Sequence, residues 1–209
     1  MAKILSVVSR AGLARVLDPV AAALLRLGVT PNAVTVVGTL GVLVGALGWA
    51  TRGHLFTALV IITVSCFTDM IDGSMARQRG ITNKFGALLD SSMDRIADGA
   101  IFGAVAFWYA TQHQPRVVAA ALLCLLTGQV VSYVKARAEG LGFNCNVGII
   151  ERAERLVGIG IGGLLWTFHV PYGLEIVMWV LGALSIVTIG QRIGTVYRQA
   201  YAPERVDAR

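Results

Sequence analysis

Charge is scarce in this chain. Only 14% of its 209 residues are Asp, Glu, Lys or Arg, against ~25% in ordinary soluble domains. Cysteine is scarcer still: Cys66, Cys124 and Cys145 are scattered, with no CxxC pair. That spacing excludes a disulfide framework and a cysteine zinc site. The three histidines, His54, His113 and His169, are also far apart. What is abundant is apolar: 56% of residues are AVILMFWYC, with 24 glycines and a mean hydropathy of +0.69. Disorder and an ordinary soluble α/β enzyme are excluded by that balance. The chain reads as one membrane-embedded domain over 1–209.

A bilayer-spanning helix needs about 20 mostly apolar residues. Such stretches occur at 32–51, 54–71, 84–112, 116–138, 152–168 and 174–200. They predict an all-α integral membrane protein, a bundle of about six spans over 32–200. Ahead of them Leu13, Val16, Leu17, Val20, Ala21, Leu24 and Leu25 recur at helical spacing beside Lys3, Arg10, Arg15 and Arg26. That pattern predicts an amphipathic interfacial helix within 1–28, lying on an anionic membrane surface. Arg10, Arg15 and Asp18 interrupt any early apolar run, so no signal peptide is expected. Asp18-Pro19 is expected to divide the helix, since Asp caps and Pro suits a first turn. Thr30-Pro31 repeats that start signal for the first span.

Basic residues set the orientation. With both termini in the cytoplasm, only Arg52 and Arg116 of the 18 Lys and Arg fall in external connections. That asymmetry is the positive-inside pattern and predicts an inner-membrane, multi-pass protein. The histidines then fall near external span ends and are read as interfacial loop residues. Topology also accounts for most of the pI near 9.7, so no nucleic-acid partner is expected.

Five of the 12 acidic residues (Asp69, Asp72, Asp90, Asp94 and Asp98) crowd into 69–98. An acid within a span costs ~2.5–3.5 kcal/mol on insertion scales, so such a group calls for partners or a function. Asp69 and Asp72 are i,i+3; Asp90 and Asp94 are i,i+4. Each pair therefore shares one helix face. An antiparallel hairpin through the short 78–83 turn would bring four carboxylates face to face, where they repel unless protonated or bridged by cations. All-oxygen ligands suit Mg²⁺, Mn²⁺ or Ca²⁺. A proton or sodium relay, or pairing with Arg77, Arg79 and Arg95, is the alternative at this stage.

The full spacing narrows the choice. Residues 69–94 read Asp69-x2-Asp72-Gly73-x2-Ala76-Arg77-x8-Gly86-x3-Asp90-x3-Asp94. This resembles the complete signature of the CDP-alcohol phosphotransferase family, whose members also have six spans after an interfacial helix. In that family an alcohol attacks the β-phosphorus of a CDP-linked lipid and expels CMP. The resemblance implies two Mg²⁺ or Mn²⁺ ions, with Asp69, Asp72 and Asp90 as ligands. It implies Asp94 as a ligand or near-ligand and as the general base that takes the acceptor's proton. Gly73, Ala76 and Gly86 would let the cytidine approach the backbone, and Arg77 would pair with the diphosphate. Thr82 and Asn83 are candidate base contacts. Pro31, Asn32, Ala33 and Val34 match the family's first-span start, where helix N-terminal amides can meet the nucleotide. Asp98 lies outside the signature and is read as an Arg95-side partner.

The acceptor is read from later basic residues. Lys135 and Arg137 end the fourth span, Arg152 and Arg155 start the fifth, and Arg192 lies in the sixth. Several Arg and Lys donors suit a phosphate dianion rather than a bare polyol, although cytoplasmic span ends are basic anyway. Ser132 and Tyr133 are candidates for ring hydroxyls. The strings at 135–142 and 151–156 resemble the actinobacterial phosphatidylinositol-phosphate synthase branch, which implies CDP-diacylglycerol and inositol 1-phosphate as substrates. A phosphatidylglycerophosphate synthase using glycerol 3-phosphate is the runner-up.

Gly41/Gly45 and Gly158/Gly162 permit close helix contacts, expected to be internal packing. A homodimer follows from the resemblance alone. The polar end, 202–209, is expected to fray. A secondary transporter would place acids near the midplane, usually with inverted repeats, and no repeat is visible. A scaffold would leave the aspartates unexplained.

Overall fold

Capping hydroxyls and prolines set where the helices begin. In the computed structural model, which describes residues 17–79 and 84–201 without the Asp69 side chain, Thr30 Oγ1 accepts the Ala33 N–H at 3.2 Å and Pro31 opens the helix. Pro115 opens another in the same way. Proline suits this position because its missing N–H would be unpaired there anyway. The helices are α1 (17–26), α2 (Pro31–Leu43), α3 (Leu55–Arg79), α4 (Lys84–Thr111), α5 (Pro115–Gly140), α6 (Arg152–Thr167) and α7 (Gly173–Ala200). No strand occurs among the described residues. The chain divides into two units, Met1–Ala104 and Val105–Arg209, with the division inside α4.

In the first unit, α2 continues in helical form past Leu43 before the chain turns into α3. The backbone is a π-helix over Val44–Trp49, tightens to 3₁₀ over Ala50–Arg52, and reverses at Gly53 with φ 81°. Glycine suits that left-handed cap because it has no Cβ to clash. The two helices then run antiparallel in a tight seam. A Cβ on Gly38 would overlap Thr68 Oγ1 and lie 3.3 Å from Ser65 O; one on Gly41 would overlap Ser65 Oγ; one on Gly45 would lie 2.9 Å from Ile62 Cγ1. Small residues at i, i+3 and i+7 thus let the backbones approach, as in membrane helix pairs generally. Gly38→Leu should cost about 1–3 kcal/mol through overpacking, read as a lower Tm in detergent. Gly48→Ala, whose Cβ would meet nothing within 4 Å, should leave Tm unchanged.

The α1 helix lies against this pair. Ala21 is fully buried with Val34 and Met75, and Leu24, Leu25, Val29 and Ile71 pack around them. Part of the apolar face expected to lie on a membrane is therefore internal. Asp18 Oδ1 accepts from Ser74 Oγ at 2.6 Å and Asp18 O from Gln78 Nε2 at 3.1 Å, tying α1 to the end of α3. Asp18 and Pro19 lie in the first turn of the described part of α1; residues 1–16, and with them any division from an earlier helical piece, lie outside the described residues.

In the second unit, α7 packs against α5 and α6. Gly182 receives Leu123 of α5, Gly158 of α6 receives Leu181, and Gly162 receives Leu174 and Val177. Both predicted glycine pairs therefore serve internal packing. Buried hydroxyls are satisfied locally: Ser185 donates to Leu181 O, Thr127 to Leu123 O and Thr188 to Leu184 O. Cys124 Sγ donates to Met178 O at 3.0 Å, and all three cysteines are free thiols. His54, His113 and His169 are exposed and sit in helix-connecting turns.

Four helical segments are long and apolar enough to cross a membrane: Pro31–Arg52, Leu55–Arg79, Pro115–Gly140 and Gly173–Ala200. Apolar side chains such as Val37, Leu40, Val44 and Leu126 point outward from them, each more than half exposed. The other two predicted spans differ. Every 18-residue stretch of α4 includes Asp94, Arg95 and Asp98. The α6 helix has 16 residues, about 24 Å at 1.5 Å per residue, short of the ~30 Å hydrocarbon thickness.

Candidate active site

All eight signature positions fall on α3 or α4. Helical spacing puts Asp69 and Asp72 on one face of α3, and Asp90 and Asp94 on one face of α4. Asp72 is buried at 7% exposure and accepts from Thr35 Oγ1 of α2 at 2.5 Å. Asp90 is exposed; Asp94 is half-buried, with Oδ2 3.6 Å from Arg95 Nη2. Asp98, one turn further, is buried at 3% exposure. No three His, Cys, Asp or Glu side chains are gathered to hold an ion among the described residues, and the Asp69 side chain lies outside them. The donor set itself fits a hard divalent cation: carboxylate oxygens with neither His nor Cys among the signature residues.

The candidate nucleotide contacts flank these acids. Arg77 is exposed near the end of α3, and a Cβ on Gly73 would lie 3.5 Å from its Nη1. Gly73, Ala76 and Gly86 are half-buried. At the start of α2, Pro31 has no N–H, and the Ala33 and Val34 amides already donate to Thr30 O at 3.1 and 3.3 Å. Of the four residues expected to present amides, Asn32 is thus the one not held by the cap. Thr82 and Asn83 lie outside the described residues.

The basic candidates cluster in the second unit. Arg192 is buried at 2% exposure. Its Nε donates to Val147 O at 2.8 Å, Nη1 to Val131 O at 2.7 Å, and Nη2 to Glu151 Oε1 at 2.8 Å. Lys135 Nζ lies 3.9 Å from the same carboxylate oxygen. Arg192 therefore organises the α5–α6 connection through protein acceptors, a role its sequence position did not suggest. Arg155 is buried at 1% exposure beside Gly128, whose carbonyl accepts from Ser132 Oγ at 3.1 Å. Arg152 is half-buried at the start of α6, and Arg137 is exposed near the end of α5. A separate cleft of about 470 Å³ between 147–149 and α7 is lined by Gly190, Gly194 and Arg198 among others, and by none of the candidate residues.

Sequence reasoning missed three groups. Thr35 bonds Asp72, Ser74 and Gln78 hold Asp18, and Glu151 joins Lys135 to Arg192. Glu151 carried one signal: with Glu154 it forms the capping box of α6, Glu151 N donating to Glu154 Oε2 at 2.9 Å. With Glu in place of the usual Ser or Thr at the N-cap, that box is only faintly readable from spacing. Its link to Arg192 is not readable at all.

Comparison with known proteins follows the same residues. The sequence model of the CDP-alcohol phosphatidyltransferase family matches residues 28–189. A Streptomyces avermitilis phosphatidylinositol phosphate synthase is 48% identical over 201 residues, covering 92% of this chain and 82% of that protein. The Mycobacterium tuberculosis phosphatidylinositol phosphate synthase is 43% identical over 202 residues, covering 95% and 93%. Its crystal structure with CDP-DAG bound aligns with a TM-score of 0.84 at 40% identity, covering 93% of this chain and 98% of that one. The same enzyme in complex with manganese and citrate aligns at 0.82, also at 40% identity, covering 92% and 93%. With its full signature on α3 and α4, this chain belongs to the CDP-alcohol phosphatidyltransferase family.

Proposed function

We propose that this protein transfers a phosphatidyl group from CDP-diacylglycerol to inositol 1-phosphate, releasing CMP and forming phosphatidylinositol phosphate. The observation that carries the reading is the complete signature in a chain 43–48% identical to phosphatidylinositol phosphate synthases. A hydroxyl of inositol 1-phosphate forms the new bond to the β-phosphorus, and the bond to the bridging oxygen breaks so that CMP departs. Asp94 takes the hydroxyl proton as that bond forms. Asp69, Asp72, Asp90 and Asp94 would hold two Mg²⁺ or Mn²⁺ ions, whose chemistry there is to polarise the diphosphate and offset charge on the departing CMP. Arg77 pairs with the diphosphate, and Gly73, Ala76 and Gly86 leave room for the nucleotide beside Asn32, Thr82 and Asn83.

Lys135, Arg137, Arg152 and Arg155, with Ser132, supply donors for the acceptor phosphate, and Arg192 holds the local backbone that carries them. The enzyme works as a homodimer in the inner membrane, with its termini and site on the cytoplasmic side. The basic asymmetry supports that orientation; the dimer rests on the family resemblance. The α4 helix acts as a further span whose charged half carries the site. Its 28 residues are about 42 Å long, enough to cross. The α6 helix and the turn after it complete the sixth.

The test is CMP release by purified protein with CDP-diacylglycerol and Mg²⁺ or Mn²⁺, offered inositol 1-phosphate, glycerol 3-phosphate, free inositol or serine. Release with inositol 1-phosphate alone is expected. Release with glycerol 3-phosphate instead would keep the mechanism and move the acceptor; no release with any acceptor would overturn the transferase reading.

A further inference from the structure

The α2–α3 seam ends on a polar contact that the signature does not contain. Going along α2 toward its start, Gly45, Gly41 and Gly38 oppose Ile62, Ser65 and Thr68 of α3. The next rung is Thr35 opposite Asp72. Glycine at three successive rungs holds the backbones close enough for a short β-branched side chain to span the gap. Thr35 Oγ1 lies 2.5 Å from Asp72 Oδ2 and 3.1 Å from Pro31 O. A hydroxyl has one proton to donate, and a carboxylate is the stronger acceptor. Both residues are buried, at 5% and 7% exposure, so water competes little for either. Thr35 holds one of the two χ1 rotamers that Thr adopts in a helix, the one that lets Oγ1 reach the i−4 carbonyl, so Pro31 O and Asp72 Oδ2 both lie within its reach.

We propose that Thr35 is a positioning residue for the carboxylate cluster: its hydroxyl fixes Asp72 Oδ2 and thereby presets the orientation in which Asp72 meets a divalent ion. The inference rests on the proposed metal-assisted transfer and adds to it a residue outside the signature. A carboxylate that orders its own rotamer on ion binding loses part of the binding free energy to that ordering. One already held by an outer partner does not, and such partners typically change metal affinity 10–100-fold. Thr35 also places this control on a different helix from the ligand, so the geometry of α2 against α3 becomes part of ion affinity.

The experiment measures Mn²⁺ binding to the purified full-length protein by EPR, without substrates, alongside kcat and KM for CDP-diacylglycerol. Thr35→Val keeps the shape and removes the hydroxyl; it should weaken Mn²⁺ about 10–100-fold, with a fall in Tm no larger than the loss of one buried hydrogen bond accounts for. Thr35→Ser should bind Mn²⁺ close to wild type, and Thr35→Val should add little to Asp72→Asn. Mn²⁺ binding by Thr35→Val equal to wild type would overturn the inference. So would a Thr35→Ser defect as large as that of Thr35→Val, which would assign the effect to the methyl group's packing. Additive losses in the double variant would show that Thr35 does not act through Asp72. Wild-type protein that binds no Mn²⁺, or Asp72→Asn that binds it normally, would instead overturn the carboxylate reading on which the inference stands.

Discussion

Asp94→Asn should lower CMP release by about 10²–10⁴-fold, the usual contribution of a positioned base, while CDP-diacylglycerol still binds. Asparagine keeps the size and planarity of the side chain and removes its capacity to take a proton. Asp94 is suited to the role by its half-buried position on α4, one turn beyond exposed Asp90 and next to Arg95. Two other effects could lower turnover, and each has a separate readout. Because Asp94 is also a proposed ion ligand, some weakening of Mn²⁺ binding is expected and is read separately from turnover; a lost fold would lower Tm. Intact Tm and CDP-diacylglycerol binding with abolished turnover is the expected combination. Normal turnover in Asp94→Asn would exclude Asp94 as the base. Asp98→Asn is the internal comparison, because Asp98 lies outside the signature and should depress kcat less.

The second large effect belongs to Arg192. Arg192→Ala removes donors from Val131 O and Val147 O and leaves Glu151 with its capping-box contact and the longer contact to Lys135. Arg192 is buried while Glu151 is half exposed, so water takes over part of the lost contact and the cost is about 1–3 kcal/mol. A clear fall in Tm is expected, with CDP-diacylglycerol and acceptor both bound more weakly. Arg192→Lys should recover only part of the loss, since one ammonium cannot reproduce the planar fork that reaches three acceptors. Lys135→Ala should behave differently: an unchanged Tm and a raised KM for inositol 1-phosphate alone. If Arg192→Ala kept its Tm and raised only the acceptor KM, its three protein bonds would have to be remade around substrate, and Arg192 would be a direct phosphate ligand.

Much of the architecture was legible because helices advertise themselves locally. Apolar runs at 32–51, 54–71, 116–138 and 174–200 marked the four membrane-length segments, the second stopping eight residues before α3 ends at Arg79, and Thr30-Pro31 marked a start within a residue. The α4 helix was less clear: its length was readable, yet its three central charges give it a polar half that a count of apolar residues blurs. Glycine spacing foretold close packing at Gly41, Gly45, Gly158 and Gly162, though not which side chain each would receive.

The sequence by itself determined that the chain is a helical membrane protein and which carboxylates share a helix face, because i,i+3 and i,i+4 spacing needs no partner helix to be read. It determined the family through eight residues within one hairpin-sized stretch. Only the tertiary structure decided what those residues touch. Thr35 meets Asp72 across 37 positions, and Arg192 meets Glu151 across 41. Periodicity reports the faces of one helix and carries no record of which neighbouring face comes within hydrogen-bonding distance. That choice is made by packing: the Gly38, Gly41 and Gly45 seam for Asp72, and the burial of Arg192 beneath the α5–α6 connection.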